Sequence, residues 1–357
     1  MIGATRVPGR PALRIGGISA VWRPRVLLVT LGLFLLAIAL MALSIGLGDY
    51  PMSLGRVLHV ALSGDGTRLE KLVVFQWRAP RALSGLVVGC ALGMAGALTQ
   101  QITRNSLASP DVLGITTGAS AMAVTIIVLG SGGGLAGWLA GVGIPISALA
   151  GAILTATAVW LLARQRTMDA FRLVLAGIII SALGQAYINF LLITADVRDA
   201  QSAKFWLTGS LGSATWERTL PMAAVVLLVV PFAGWVAFSL LSMHLGPALA
   251  AALGHNVNRT QFTLLCTAVA LSAVAVSAAG PIGFVAFVAP QLAARITGMA
   301  TPPLLGSALT GAVLLLGADA VTQSLLPVEL PVGLVTSGIG GAFLIYVLVT
   351  TSRKHTV

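Results

Sequence analysis

Charge is what this sequence has least of. Asp, Glu, Lys and Arg make up 9% of the chain, against 57% hydrophobic residues, and the mean hydropathy is +0.98. A soluble domain carries about 25% charged residues. A chain this depleted cannot cover a water-facing surface, so lipid is the solvent for most of it. Cysteine is also scarce: Cys90 and Cys266 both lie in apolar segments, which excludes an extracellular disulfide framework and a zinc cluster. No stretch has the form GxxxxGK[ST], so ATP is not bound in that way. The four histidines, His59, His244, His255 and His355, sit in or beside loops, and no nucleophile–base set accompanies them. The chain by itself reads as no enzyme, with no catalytic residue, no metal site and no cofactor of its own.

What is present is a series of apolar runs, near residues 26–47, 82–102, 114–130, 144–163, 171–194, 219–240, 261–279, 282–297, 304–325 and 333–350. Each span needs about 20 residues. The expectation is therefore an all-α polytopic membrane protein of about ten transmembrane helices. A segment at 1–25 precedes the membrane domain at 26–350, and a tail at 351–357 follows it. The first run is too long for the core of a signal peptide, about 7–15 residues, and is read as a retained span.

The net charge of +11 could suggest nucleic acid, but the basic residues are scattered between apolar runs and read as topology signals instead. With the N-terminus in the cytoplasm, thirteen Lys and Arg fall inside: Arg6, Arg10, Arg14, Arg23, Arg25, Arg104, Arg164, Arg166, Arg172, Arg259, Arg295, Arg353 and Lys354. Eight fall outside: Arg56, Arg68, Lys71, Arg78, Arg81, Arg198, Lys204 and Arg218. The bias places both termini in the cytoplasm. The longest outer connection, about 48–81, holds enough polar residues for a short surface helix.

Gly85, Gly89 and Gly93, with Ala97, recur every four residues on one helix face. Such a face lets backbones approach closely, either to pack a crowded bundle or to line a wide passage. Prolines such as Pro221, Pro231 and Pro290 predict broken or kinked helices. One acidic residue lies clearly inside a span: Asp319 in the ninth run. An intramembrane carboxylate costs at least ~2.5–3.5 kcal/mol at a helix centre and usually marks an ion pathway. A single one fits capping or packing, or contact with substrate or ion. An ion-coupled secondary transporter would want more, so the energy source is expected outside this chain.

Between the sixth and seventh runs, residues 241–260 form a loop whose small residues and bracketing glycines predict one or two short helices with a turn at Gly254. This loop resembles the LGxxxAxxLGxxxxxxR segment of the iron-siderophore and vitamin B12 (FecCD-type) family of ABC importer permeases. Gly246, Ala250 and Gly254 stand at its small positions and Arg259 supplies its basic residue two positions early, while Pro247 replaces an acid common in relatives. Arg78-Ala-Pro-Arg81 resembles the family's RxPR, and Arg104-Asn-Ser-Leu-Ala-Ser-Pro-Asp-Val-Leu-Gly114 its RNPLAxPxxLG turn. Ala279-Gly-Pro-Ile-Gly-Phe284, Val288-Ala-Pro-Gln-Leu292 and Glu329-Leu-Pro-Val-Gly333 resemble later signatures. Asp169-Ala-Phe-Arg172, Gly209-Ser-Leu211 with Trp216, and Gly338-Ile-Gly-Gly341 are most similar to enterobactin-type ferric siderophore permeases. Gln323 stands where some vitamin B12 relatives carry an arginine.

The resemblance implies a type II ABC importer permease fold in the bacterial inner membrane. It implies a second permease subunit, a paralogue of this chain, and two ATPase subunits that bind ATP and Mg. It also implies an extracytoplasmic substrate-binding protein and a ferric siderophore as cargo. Residues Gly246, Ala250, Gly254 and Arg259 would couple to the ATPase, and Arg78 and Arg81 would receive acidic residues of the binding protein. Cobalamin or haem import is the alternative within the family; a secondary transporter and a non-transporting scaffold lie further off.

Overall fold

The computed structural model describes residues 12–15, 18–21, 23–48, 50, 52–130, 143–163, 170–238, 247–252, 254, 256–324 and 330–352. A short antiparallel hairpin, β1 (Ala12–Ile15) with β2 (Ile18–Val21), lies just ahead of the first span; every described element after it is helical, as an all-α membrane fold requires. Helix α1 (Pro24–Gly46) then opens on a proline, whose missing N–H costs nothing in a first turn. In the outer connection, α2 (Leu54–Ser63) is capped by the Ser53 side chain and stopped by Gly64 in the left-handed region. Thr67 and Glu70 form a reciprocal capping box at the start of α3 (Arg68–Lys71).

A proline disfavours helix at the residue before it, so Arg78-Ala-Pro-Arg81 predicts a break at Ala79; instead α3 continues through a π-helical turn (Leu72–Arg78) into α4 (Ala79–Thr103). The wider turn lets the Ala79 N–H reach back to Val74 O, and Pro80 falls where the register has shifted. The proline is absorbed by the bulge instead of starting the helix.

The remaining long helices are α5 (Ile115–Leu129), α6 (Ile144–Ala163), α7 (Ala170–Thr194), then α9 (Trp216–Phe238) after the short outer α8 (Val197–Leu207). The six-residue α10 (Pro247–Ala252) precedes α11 (Val257–Ala279), α12 (Val285–Thr297), α13 (Leu304–Ser324) and α14 (Val332–Ser352). Seven of these apolar helices are long enough to cross a bilayer, and Ile115–Leu129, Val285–Thr297 and Val332–Val347 are shorter. The thirteen residues of α12 rise only about 20 Å against a hydrocarbon core of about 30 Å. The chain just before it, Gly280–Phe284, is non-helical and sheltered by protein, as irregular backbone at membrane depth must be. Ser210 N–H donates to Ala279 O at 2.8 Å and Gly333 N–H to Gly209 O at 3.1 Å, so three of the sequence signatures meet at one backbone junction.

The core is centred on α4, where every residue from Ala91 to Gln100 is buried. Helices α11, α12 and α13 surround it, and α1, α7 and α14 sit at the periphery with large apolar side chains facing outward.

Candidate functional site

The two outer arginines lie three residues apart yet serve different groups. Arg78 is buried, 7% exposed, and donates to Ile45 O at 3.1 Å and Tyr50 O at 2.6 Å, with a longer bond to Gly46 O at 3.4 Å. Ile45 O and Gly46 O belong to the end of α1, where the last turn has no intrahelical donors and carries partial negative charge, and Tyr50 O to the loop that follows. A guanidinium there satisfies several acceptors at once. Its side chain closes a helix end, and at 7% exposure it offers little surface for the partner-facing role that the resemblance implies.

Arg81 turns to α13. Its Nε donates to both carboxylate oxygens of Asp319 at 3.2 Å and its Nη2 to Oδ1 at 3.0 Å, a bidentate geometry. Asp319 is wholly buried, while the Arg81 side chain keeps 18% of its surface exposed. Gln323, one turn along α13, donates from Nε2 to Asp319 Oδ2 at 2.6 Å and to Ser44 Oγ on α1 at 3.3 Å. Helices α1, α4 and α13 are thus tied at their outer ends by one polar network. Sequence reasoning singled out Asp319 but missed both partners. The i, i+4 spacing of Asp319 and Gln323 was readable; the pairing with Arg81, 238 residues away, was not.

Both arginines and Gln323 border an open cavity of about 410 Å³, along with Trp77, Ser213 and Thr215. Trp216 fixes the far wall by donating its indole N–H to Phe75 O at 2.6 Å.

Below this network the glycine face of α4 meets α13 backbone to backbone. A Cβ at Gly89 would lie 2.6 Å from Gly311 O, and one at Gly93 would overlap Ser307 O; Gly85 abuts the Leu316 and Leu211 side chains. This face borders packed helix, with no passage along it.

At the opposite end, Arg104 stops α4 in the left-handed conformation, and the chain turns back through the Asn105–Leu113 segment. Gln291 donates to Ser106 O at 2.7 Å and Gln100 to Phe287 O at 3.1 Å, so two signature segments brace each other. Arg25 donates to Ile296 O at 3.1 Å near the end of α12. Of the four residues expected to couple to an ATPase, Gly246 lies outside the described residues. Ala250 is fully buried against its own chain, whereas its neighbour Leu249 is 56% exposed. Gly254 turns at φ 86° with open space around it, and Asn256 caps α11 by accepting from Arg259 N at 3.1 Å. The exposed surface here is Leu249, Ala251, Ala252, Gly254 and Arg259, and Ala250 is its inner support.

Comparison with known proteins agrees with this arrangement. The profile of the FecCD transport family matches residues 35–350. The ferric enterobactin transport system permease protein FepG of Escherichia coli is 41% identical over 299 residues, covering 83% of this chain and 88% of that protein. The Fe(3+)-citrate import system permease protein YfmE of Bacillus subtilis is 36% identical, with 93% and 97% covered. The hemin transport system permease protein HmuU of Yersinia pestis is 35% identical, with 78% and 83% covered. Among solved structures, a metal-chelate type ABC transporter in an inward-facing conformation superposes with a TM-score of 0.76 at 28% identity. That match covers 91% of this chain and 99% of the other. With the profile spanning nearly all ten apolar helices, the chain belongs to the FecCD transport family.

Proposed function

We propose that this chain is a membrane-spanning subunit of an ATP-driven importer that carries ferric siderophore complexes across the bacterial inner membrane. The observation that carries the reading is the family match over 35–350, in which the relatives named for ferric enterobactin and ferric citrate cover most of the chain. Gln323, in place of an outward arginine, favours this branch over cobalamin import. The hemin relative keeps haem as the second reading.

The energy comes from partners. The one carboxylate buried deep among the described spans, Asp319, is held by Arg81 and Gln323, which suits a lock better than an ion relay. A second permease subunit would complete the passage. Two ATPases, holding ATP and Mg, would dock on the exposed surface of α10 and the Gly254 turn. An extracytoplasmic binding protein would dock over the outer cavity, where Arg81 offers a partly exposed basic side chain. The basic bias of the sequence sets this orientation, with both termini in the cytoplasm.

The deciding experiment reconstitutes the full transporter in proteoliposomes and measures ATP hydrolysis with ferric enterobactin, ferric citrate, hemin and cobalamin in turn, each with the binding protein. Stimulation by a ferric siderophore is expected. Stimulation by cobalamin or hemin alone overturns the assignment.

A further inference from the structure

Asp319 lies behind Arg81 as seen from the outer cavity: the carboxylate is wholly buried, whereas the Arg81 side chain keeps 18% of its surface and lines the wall. A carboxylate arriving from outside therefore meets Arg81 while Asp319 already holds the Nε and Nη2 edge of the fork. Two carboxylates cannot both take that edge in the bidentate geometry that makes such pairs strong. We propose that Asp319 is an internal competitor for Arg81, and that an acidic side chain of the docking protein takes Arg81 by displacing it. The inference rests on the reading of the outer cavity as a docking face.

Three features fit an exchange. The displaced carboxylate would keep one short hydrogen bond, from Gln323 Nε2 at 2.6 Å, so it is not left bare in the core. Gln323 also touches Ser44 of α1, so the loss of Arg81 would reach α1 and α13 together. The Arg81–Asp319 pair stands at the outer end of the α4–α13 glycine seam, where releasing it loosens the end of a helix contact and leaves its middle packed. Docking and the Arg81–Asp319 pair are then reciprocally linked: whatever weakens that pair without destabilising the displaced Asp319 strengthens docking, by the same free energy.

The linkage fixes opposite signs for two substitutions. Asp319→Asn removes the competitor's charge and should tighten docking of the transporter's own binding protein, free of chelate, by about fivefold or more at low ionic strength. The gain should shrink as salt is raised, because the liberated attraction is exposed. Gln323→Leu removes the bond that would stabilise a displaced Asp319 and should weaken docking severalfold. Both are measured on the full transporter in nanodiscs, with unfolding midpoints taken in parallel. A purely structural network predicts that both changes lower the midpoint and leave docking unshifted or weaken it alike. That outcome overturns the exchange, as does weaker docking to Asp319→Asn. Should Asp319→Asn fail to assemble, weaker docking to Gln323→Leu at an unchanged midpoint supports the exchange, and unchanged docking overturns it. Arg81→Gln separates the two layers: docking as tight as wild type removes the docking face itself, whereas weakened docking with no gain in Asp319→Asn removes only the competition.

Discussion

Helix α4 and helix α7 are both 25 residues long, and they are held in opposite ways. Along α4, small residues bring the backbones of α12 and α13 into contact, and the outer end is pinned by an ion pair. Along α7, Gly177 and Gly184 seat one side on the chain around Val112 and Thr117, and the other side turns Phe171, Ile178, Leu183, Phe190 and Ile193 outward. Helix α14 resembles α7: Gly340 meets Phe284, while Gly338 and Gly341 face open space. In lipid no hydrophobic force drives helices together, so close backbone packing is what makes a seam rigid. The bundle thus has a fixed frame around α4 and a pair of outer walls open to lipid or to the second permease subunit.

The sharpest way to break this contrast is to place the same bulky side chain on each. Gly93→Leu drives a side chain into the Ser307–Ala308 backbone, where neither helix can yield. Overpacking costs ~1–3 kcal/mol where side chains can shift, and this site should exceed that range. The subunit should fail to accumulate in the membrane. A Cβ at Gly338 would meet nothing within 4 Å, so Gly338→Leu should leave the purified subunit's unfolding midpoint unchanged, with any defect confined to pairing with a second subunit. Equal loss of both proteins from the membrane would erase the distinction between frame and wall.

Arg78 belongs to the frame, and its removal should show as stability before it shows as function. Arg78→Ala leaves the end of α1 without its buried charged donor, a loss of ~1.5–3 kcal/mol by the usual worth of such bonds. Arg78→Lys keeps the charge but not the planar fork, and should recover only part of it. A clear fall in the midpoint in detergent with docking of the binding protein nearly intact is expected. An unchanged midpoint would return Arg78 to the partner-facing role that its sequence motif implied.

The inner end carries the same contrast within one six-residue helix. Ala250 is buried and Leu249 is exposed. Leu249→Asp should leave the permease inserted and as stable as wild type, while co-purification of the ATPase and transport both fall. Ala250→Glu should instead lower the amount of folded permease, since it buries an unpaired charge. Intact accumulation of Ala250→Glu together with lost ATPase would show that Ala250 itself meets the partner.

The frame was far less legible in the sequence than the spans. Apolar runs are set by lipid and can be read residue by residue; helix α6 occupies Ile144–Ala163, the same residues as its run. The every-fourth-residue glycines were legible as a face but not as a contact, because α13, the helix they meet, starts more than 200 residues later. Pro80 misled the reading because a π-helical turn, which no local pattern announces, carried the helix past it. Ala250 shows the same limit on a smaller scale: a motif marks a small residue, and only packing shows which way it points.

The smallest expected effect tests whether the medium, and not the pairing itself, makes the Arg81–Asp319 lock matter. The outer loop contains a near copy of it: Arg56 Nε and Nη2 donate to the two Glu70 oxygens, each at 2.8 Å. The geometry is if anything better, but the Arg56 side chain is 42% exposed and Glu70 12%, against 18% and 0% for the inner pair. Exposed pairs gain little, because water and salt screen them and two long side chains must be held still. Glu70→Gln keeps an oxygen able to accept from Thr67 N–H, so the capping box survives while the charge and one of the two Arg56 hydrogen bonds are lost. The midpoint should fall by about one degree or less, and the difference should vanish at high salt. Asp319→Asn, read by the same measurement, should show a larger drop that salt does not remove, since its site excludes water. Equal sensitivity of the two pairs to salt would mean that the outer cavity wets the α4–α13 lock as freely as the loop, and that the frame's ion pair is a surface contact after all.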